Sequence, residues 1–108
     1  MDTSRGKRIR FTKKQLCHAF KHAADFGIFG QRDSASLHAF QMALLRHVAS
    51  PHTVVCVGSF RNLPVVHLVD RSSGLNVIRK PNGDFLSAWK LTELQLWHVL
   101  NTGRLGGG

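Results

Sequence analysis

Hydrophobic residues in the first half of the chain recur at the spacing of amphipathic helices. Two stretches, 12–24 and from 33 or 34 to about 49, carry an apolar residue every three or four positions. Thr12 is a suitable N-cap, Gly27 follows the first stretch, and Pro51 follows the second. The apolar positions are Leu16, Phe20 and Ala23 or Ala24 in the first, and Leu37, Phe40, Leu44 and Val48 in the second. The pattern predicts two helices.

After residue 53 the pattern changes to short runs rich in β-branched residues. Such runs, separated by turn residues, are typical of strands. The Pro81-Asn82-Gly83-Asp84 segment is the strongest hairpin signal in the chain. The predicted strands are 53–57, 65–69, 75–79 and 85–89. Because their connections are short, we expect an antiparallel meander.

The last predicted element is a helix that begins after Thr92. Gln95 completes a capping-box spacing, and Gly103 ends the amphipathic pattern. The fold class is therefore α+β, with two N-terminal helices, a four-stranded meander and a C-terminal helix. We expect helices on one face of the sheet and an open second face that can hold nucleic acid. A single domain, 11–104, would follow a flexible basic arm, 1–10, and precede a flexible glycine tail, 105–108.

Charge narrows the class of partner. The chain has 108 residues, with 15 Lys and Arg against 6 Asp and Glu, a formal net charge of +9. A surplus of this size indicates a polyanionic partner, for which RNA is our first choice, although a basic surface alone does not define function. No apolar run is long enough to span a membrane. We interpret Cys17 and Cys56 as reduced packing residues.

The 7 histidines raise the question of a metal site. His18 and His22 are spaced one helical turn apart, but Ala19 stands where a zinc protease has glutamate, and no second Cys/His cluster follows. We expect no metal and no other cofactor. Phosphate-binding glycine loops and a nucleophile elbow are also missing from the sequence. The remaining candidate reaction is acid-base cleavage of RNA assisted by cations. In this reaction the ribose 2′-hydroxyl attacks its own phosphate.

Less specific interpretations stay open beside this one. A histidine is more often a packing or surface residue than a catalytic one, and spacing singles out none of the others: His38, His47, His52, His67 and His98. A non-catalytic module could bind RNA or DNA by stacking bases on Phe60 or Trp89. A purely structural interaction domain would show no affinity for RNA.

Several blocks of the sequence resemble the cytotoxic domain of the colicin D family of bacteriocin and contact-dependent-inhibition toxins. The first is FKHAADFG at 20–27, followed by VGSFR at 57–61. The similarity continues through 70–78 and is clear again in NGDFLSAWK at 82–90. The similarity covers roughly residues 12–104. The matching blocks follow the same order as in the family, without large insertions.

The resemblance implies a metal-independent nuclease that cleaves transfer RNA in the cytoplasm of a competing bacterium and leaves a cyclic phosphate. It also implies catalytic roles for four residues. His22 would transfer a proton, Lys21 would contact the phosphate, and Ser87 and Trp89 would line the site. Strand alternation places Ser87 and Trp89 on one face and Lys90 on the other.

The chain departs from the family at Ala19, where relatives can carry a further catalytic lysine. Lys14, His18 or Lys80 could supply the missing charge, and the sequence does not choose between them. With Arg61 and Lys90, these residues are our candidates for RNA binding.

The resemblance also implies a cognate immunity protein. We expect it to be acidic, because it must cover a cationic site in competition with RNA. The nuclease itself is expected to be a monomer, released as part of a larger toxin. Which transfer RNA is cut does not follow from the sequence.

Overall fold

The computed structural model describes residues 6–106. Its helices and strands occur in the predicted order, with one additional strand. The helical elements are α1 (Lys13–Ala19), a 3₁₀ helix (Phe20–Phe26), α2 (Ser34–Ala49) and α3 (Glu93–Thr102). The strands are β1 (Thr53–Phe60), β2 (Leu63–Asp70), β3 (Leu75–Arg79), β4 (Phe85–Lys90) and β5 (Arg104–Leu105). The α+β fold class is confirmed.

The first predicted helix is helical throughout but changes type at Phe20. Thr12 caps α1, since its side chain accepts a hydrogen bond from the Gln15 amide at 3.1 Å. From Phe20 the chain continues as a 3₁₀ helix that ends at Gly27, whose φ of 83° is left-handed. Side chains three positions apart eclipse in this tighter helix, so His22 and Asp25 lie on one side of it.

The sheet has the order β4-β3-β2-β1-β5. Strands β1 to β4 form the predicted antiparallel meander, and β5 pairs in parallel with the end of β1, Phe60 opposite Leu105. Leu105 was expected in a flexible tail, but it lies in β5 and is 3% exposed. A two-residue strand is too short to show an alternating pattern, so the sequence could not indicate it.

Both faces of the sheet are covered, which corrects the expectation of an open face. Helices α1 and α2 pack on one face, against Leu68 and Val77 among others. Helix α3 packs on the other, where Val99 joins Val65 and Val69. Residues 65–69 are all buried, and a run in which four of five residues are apolar is typical of a strand buried on both faces.

Residues 6–10, assigned from the sequence to a flexible arm, instead pack against the domain. Arg10 exchanges backbone hydrogen bonds with Gly83 and Phe85, each 2.8 Å long. The Arg79 guanidinium donates to the Gly6 carbonyl at 2.9 Å, and Ile9 joins the helix-side core. The rest of the predicted arm, 1–5, lies outside the described residues, as do positions 107–108 of the predicted tail.

Two further expectations concern the cysteines and membranes. Cys17 and Cys56 are both free thiols, as expected. Within residues 6–106, no helix has the length and apolar character needed to cross a membrane.

A buried polar cluster attaches the end of α3 to the sheet. His67 Nε2 lies 2.9 Å from the Gly103 carbonyl oxygen, and Asn76 donates to His67 Nδ1 at 3.1 Å. These contacts fit a neutral imidazole that donates through Nε2 and accepts through Nδ1. Burial lowers the pKa of His67, which favours that neutral form, although the two carbonyl contacts oppose the shift. His67 is therefore a packing residue, the alternative left open for it.

Candidate functional site

A cavity of about 610 Å³ opens between α1, the 3₁₀ helix, β4 and the β1–β2 turn. Its walls come from segments that are far apart in the chain. The helical segments contribute Gln15, His18, Lys21 and His22; the β1–β2 hairpin contributes Phe60, Arg61 and Leu63; β4 and α3 contribute Leu86, Ser87, Trp89 and Gln95. The basic and hydroxyl groups that the sequence singled out are thus mixed with aromatic rings.

The helical wall is fixed to β4 by two side-chain hydrogen bonds. Gln15 donates from Nε2 to the Leu86 carbonyl at 2.9 Å, and the Asp25 carboxylate accepts from the Lys90 amide at 3.0 Å. These contacts hold both ends of the α1–3₁₀ segment against the strand. His22 lies between them, so its position relative to β4 is well defined.

The strand wall follows the register of β4 with β3. Ser87 lies opposite Ile78 and Trp89 opposite Asn76, so both project to the α3 side of the sheet. The predicted common face of Ser87 and Trp89 is confirmed. Lys90 points away and does not line the cavity.

Four side chains lie in a continuous row across the cavity, with their rings tilted against one another. The rings of His22 and Trp89 are 5.7 Å apart between centroids, and those of Trp89 and Phe60 are 5.6 Å apart. The Arg61 guanidinium carbon lies 5.0 Å from the Phe60 ring centroid. Because β2 and β3 separate β1 from β4, the sheet must curl strongly to bring Phe60 to Trp89.

Arg61 is held in an unusual backbone conformation. Its φ is 51° and that of Asn62 is 67°, the left-handed pair of a two-residue hairpin turn. Asparagine adopts this region readily, but arginine does so at a cost. The Arg61 amide donates to the Leu105 carbonyl at 3.0 Å, so β5 helps to hold the turn that carries Arg61 into the cavity.

Electrostatics favour a neutral His22. Partial burial lowers its pKa, the positive charges of Lys21 and of a protonated His18 lower it further, and Asp25 opposes them. His22 is therefore mainly unprotonated at neutral pH and able to accept a proton. No group of three His, Cys, Asp or Glu side chains suited to a metal ion occurs between residues 6 and 106.

The structure brings six of the nine predicted site residues to this cavity: Lys21, His22, Ser87, Trp89, His18 and Arg61. Lys14, Lys80 and Lys90 do not line it. Ala19 is 0% exposed and packs in the helix-side core, so its side chain does not face the cavity. Of the candidates for the missing charge, only His18 lies in the cavity wall.

Sequence reasoning missed two glutamines of the site. Gln15 precedes His18 by three positions, and this helical spacing could have placed it on the same wall. Gln95 was recognised only as a capping residue. Its side-chain oxygen also lies 3.5 Å from Trp89 Nε1, a contact that depends on how α3 docks.

Comparison with known proteins agrees with this geometry. A family model described as Colicin D matches residues 15–99. The chain belongs to the colicin D family. That match contains every residue that lines the cavity, from Gln15 to Gln95. The resemblance inferred from the sequence is confirmed.

Two relatives define the match further. Colicin-D of Escherichia coli is 37% identical over 84 residues, which are 76% of this chain and 12% of that protein. The chain therefore spans about an eighth of its colicin relative. A solved structure described as a ribonuclease from Escherichia coli complexed with its inhibitor protein superposes with a TM-score of 0.71. It is 33% identical, and the match covers 84% of this chain and 100% of that one.

Proposed function

We propose that this chain is the ribonuclease domain of a bacterial toxin and that it cleaves transfer RNA without a metal. One observation carries the proposal: a histidine with a lowered pKa shares a cavity with Lys21, Ser87 and Trp89, which come from distant segments. Membership of the colicin D family and similarity to an Escherichia coli ribonuclease support it.

The proposed reaction uses the RNA's own 2′-hydroxyl as nucleophile. Neutral His22 accepts the hydroxyl proton, and the 2′-oxygen attacks the adjacent phosphorus. Negative charge then develops on the phosphate oxygens, where Lys21 and Arg61 stabilise it and Ser87 donates a hydrogen bond. The products are a 2′,3′-cyclic phosphate and a 5′-hydroxyl.

The remaining residues would bind and orient the substrate. Trp89 and Phe60 provide apolar ring surface beside His22, suited to an unpaired nucleotide. Lys14, Lys80 and Lys90 are exposed outside the cavity, where they would contact flanking phosphates. Binding should then weaken with salt, as expected for a chain of net charge +9.

The test is to treat total bacterial RNA briefly with the protein and to sequence the cut ends. We expect cuts concentrated in transfer RNA, 2′,3′-cyclic phosphate and 5′-hydroxyl ends, and no effect of EDTA. Loss of cleavage in EDTA, or 3′-hydroxyl ends, would contradict the proposed chemistry. Binding without cleavage would instead favour the non-catalytic RNA-binding module.

The solved relative carries an inhibitor protein, so we propose a cognate immunity protein for this chain too. Its contact surface should be acidic, because the cavity wall presents Lys21, Arg61 and His18. We expect tight binding that competes with transfer RNA and weakens as sodium chloride is raised, measured by titration calorimetry. A neutral or basic contact surface, or affinity independent of salt, would contradict this account.

The length comparison supports a proposal on delivery. Because the chain spans only 12% of its colicin relative, we propose that it is released within a larger toxin. The nuclease would act in the cytoplasm of the target bacterium, where transfer RNA is available.

A further inference from the structure

Cleavage by a 2′-hydroxyl requires two proton transfers. One proton leaves the nucleophile, and another must reach the 5′-oxygen as the bond from phosphorus to that oxygen breaks, because an alkoxide is a poor leaving group. His22, mainly neutral, suits the first transfer. A side chain that supplies the second proton would have to lie in the same cavity.

Few cavity groups can donate this proton near neutral pH. Arg61 cannot, because a guanidinium stays protonated in proteins. Ser87 and the glutamines are far too weakly acidic. The remaining candidates are His18 and Lys21, and a lysine releases its proton far less readily than a histidinium.

His18 lies in the cavity wall, and its side chain is available for proton transfer. It lies four residues before His22, in the last turn of α1, and both histidines line the cavity. The two imidazoles come from successive helical segments, α1 and the 3₁₀ helix, and they border the same cavity. The His18 side chain is exposed and makes no hydrogen bond to any residue from 6 to 106.

The two histidines influence each other. A protonated His18 lowers the pKa of His22, and Lys21 acts in the same direction while Asp25 opposes both. Arg61 adds positive charge from the facing hairpin. Because two neighbouring imidazoles repel each other when both are charged, proton binding to one disfavours proton binding to the other. His22, whose pKa is lowered, is the member suited to accept a proton, which leaves His18 as the candidate donor.

We infer that His18 is a second catalytic residue, the general acid that protonates the 5′-oxygen leaving group. This inference rests on the proposed ribonuclease function. The 2′-oxygen forms its bond to phosphorus as His22 takes the hydroxyl proton; the bond from phosphorus to the 5′-oxygen breaks as His18 gives up its proton. One proton enters and one leaves the pair, so the reaction needs no further reactant.

The experiment compares two substrates that differ at one atom. One is the transfer RNA found to be cut; the other carries sulfur in place of the 5′-oxygen at the cut bond, assembled by ligation. Sulfur leaves readily without protonation. We expect His18→Ala and His18→Gln to lose about 10²-fold in kcat on the oxygen substrate, at the lower end of acid-base effects, and to cut the sulfur substrate within about threefold of wild type.

Two further variants complete the comparison. His22→Ala should be slow on both substrates, because the base is needed in either case. His52→Ala, an exposed histidine outside the cavity, should match wild type on both. The alkaline limb of the pH profile should be lost in His18→Ala and kept in His52→Ala.

Three results would overturn the inference about His18. The first is that His18→Ala loses no activity on the oxygen substrate, and the second is that it loses equally on both substrates. The third is that the sulfur substrate restores the activity of Lys21→Ala but not that of His18→Ala. Each leaves the proposed function intact. Absence of cleavage by the wild-type protein would instead overturn the proposed function itself.

Discussion

A His22→Ala variant is expected to cut transfer RNA about 10²–10⁴-fold more slowly than wild type, because it removes the base that activates the 2′-hydroxyl. Binding should change little, since affinity for RNA comes mainly from phosphate contacts made by basic side chains. The measurements are single-turnover cleavage rates and salt-dependent binding of the same transfer RNA.

The pH dependence of wild type supplies a second readout. The pKa of His22 is lowered from the ordinary value of 6.5. The neutral, proton-accepting form therefore predominates above a pH that lies below 6.5, and it is lost as pH falls through the shifted pKa. We expect the acid limb of kcat/KM to have its midpoint below pH 6.5 and to be missing in His22→Ala.

His38→Ala is the matched control, because this exposed histidine lies on α2, away from the cavity. It should cut RNA as wild type does. Undiminished cleavage by His22→Ala would remove His22 from the mechanism. The unfolding free energy of His22→Ala should be measured as well, because the ring packs against Trp89 and its loss could weaken the fold.

Local signals in the sequence were enough to predict most elements of the fold. The Thr12 cap, the β-branched runs and the capping box of Thr92 and Gln95 each depend on residues within four positions, and each is found in the structure. The change to a 3₁₀ helix at Phe20 was not predictable, because it depends on how that segment packs against β4 and α2.

The covered second face shows a different limit. An amphipathic helix must bury its apolar side, but the pattern of α3 does not say which surface it covers. In the structure Val99 packs with Leu105, beyond the glycine that ends the helix. The same segment pairs with β1 to form β5, so the additional strand depends on where α3 lies.

The candidate site, like the fold, was predictable from the sequence only in part. The similarity to a known family singled out Lys21, His22, Ser87 and Trp89, and the structure places these four around one cavity. The additional partners, Phe60 and Arg61, reach them only because the sheet curls. Such curvature sums small twists over four strands and leaves no signal in any short segment. The same argument explains why Ala19 could not be interpreted from sequence: burial in the core is a property of the assembled fold.

β1 lies very close to the end of α3, and this contact supports the cavity. A Cβ built on Gly58 would lie 1.9 Å from the Gly103 carbonyl oxygen, so only glycine fits there. The same oxygen accepts hydrogen bonds from His67 and from the Ser59 amide. Gly103 itself has φ of 71°, which other residues adopt poorly. The two glycines let the chain turn from α3 into β5.

We therefore expect Gly58→Ala to lower the free energy of unfolding by about 3 kcal/mol, the upper end of the usual cost of overpacking, because the obstructing atom belongs to backbone. Cleavage should fall as well, since displacing Gly103 moves β5 and with it the Leu105 carbonyl that holds Arg61. Urea unfolding and single-turnover cleavage measure the two effects.

Gly106→Ala is the control: a Cβ there meets nothing within 4 Å, and we expect a change in the free energy of unfolding within about 0.5 kcal/mol. If Gly58→Ala were as stable and active as Gly106→Ala, the contact between β1 and α3 would not be what holds Arg61 in the cavity.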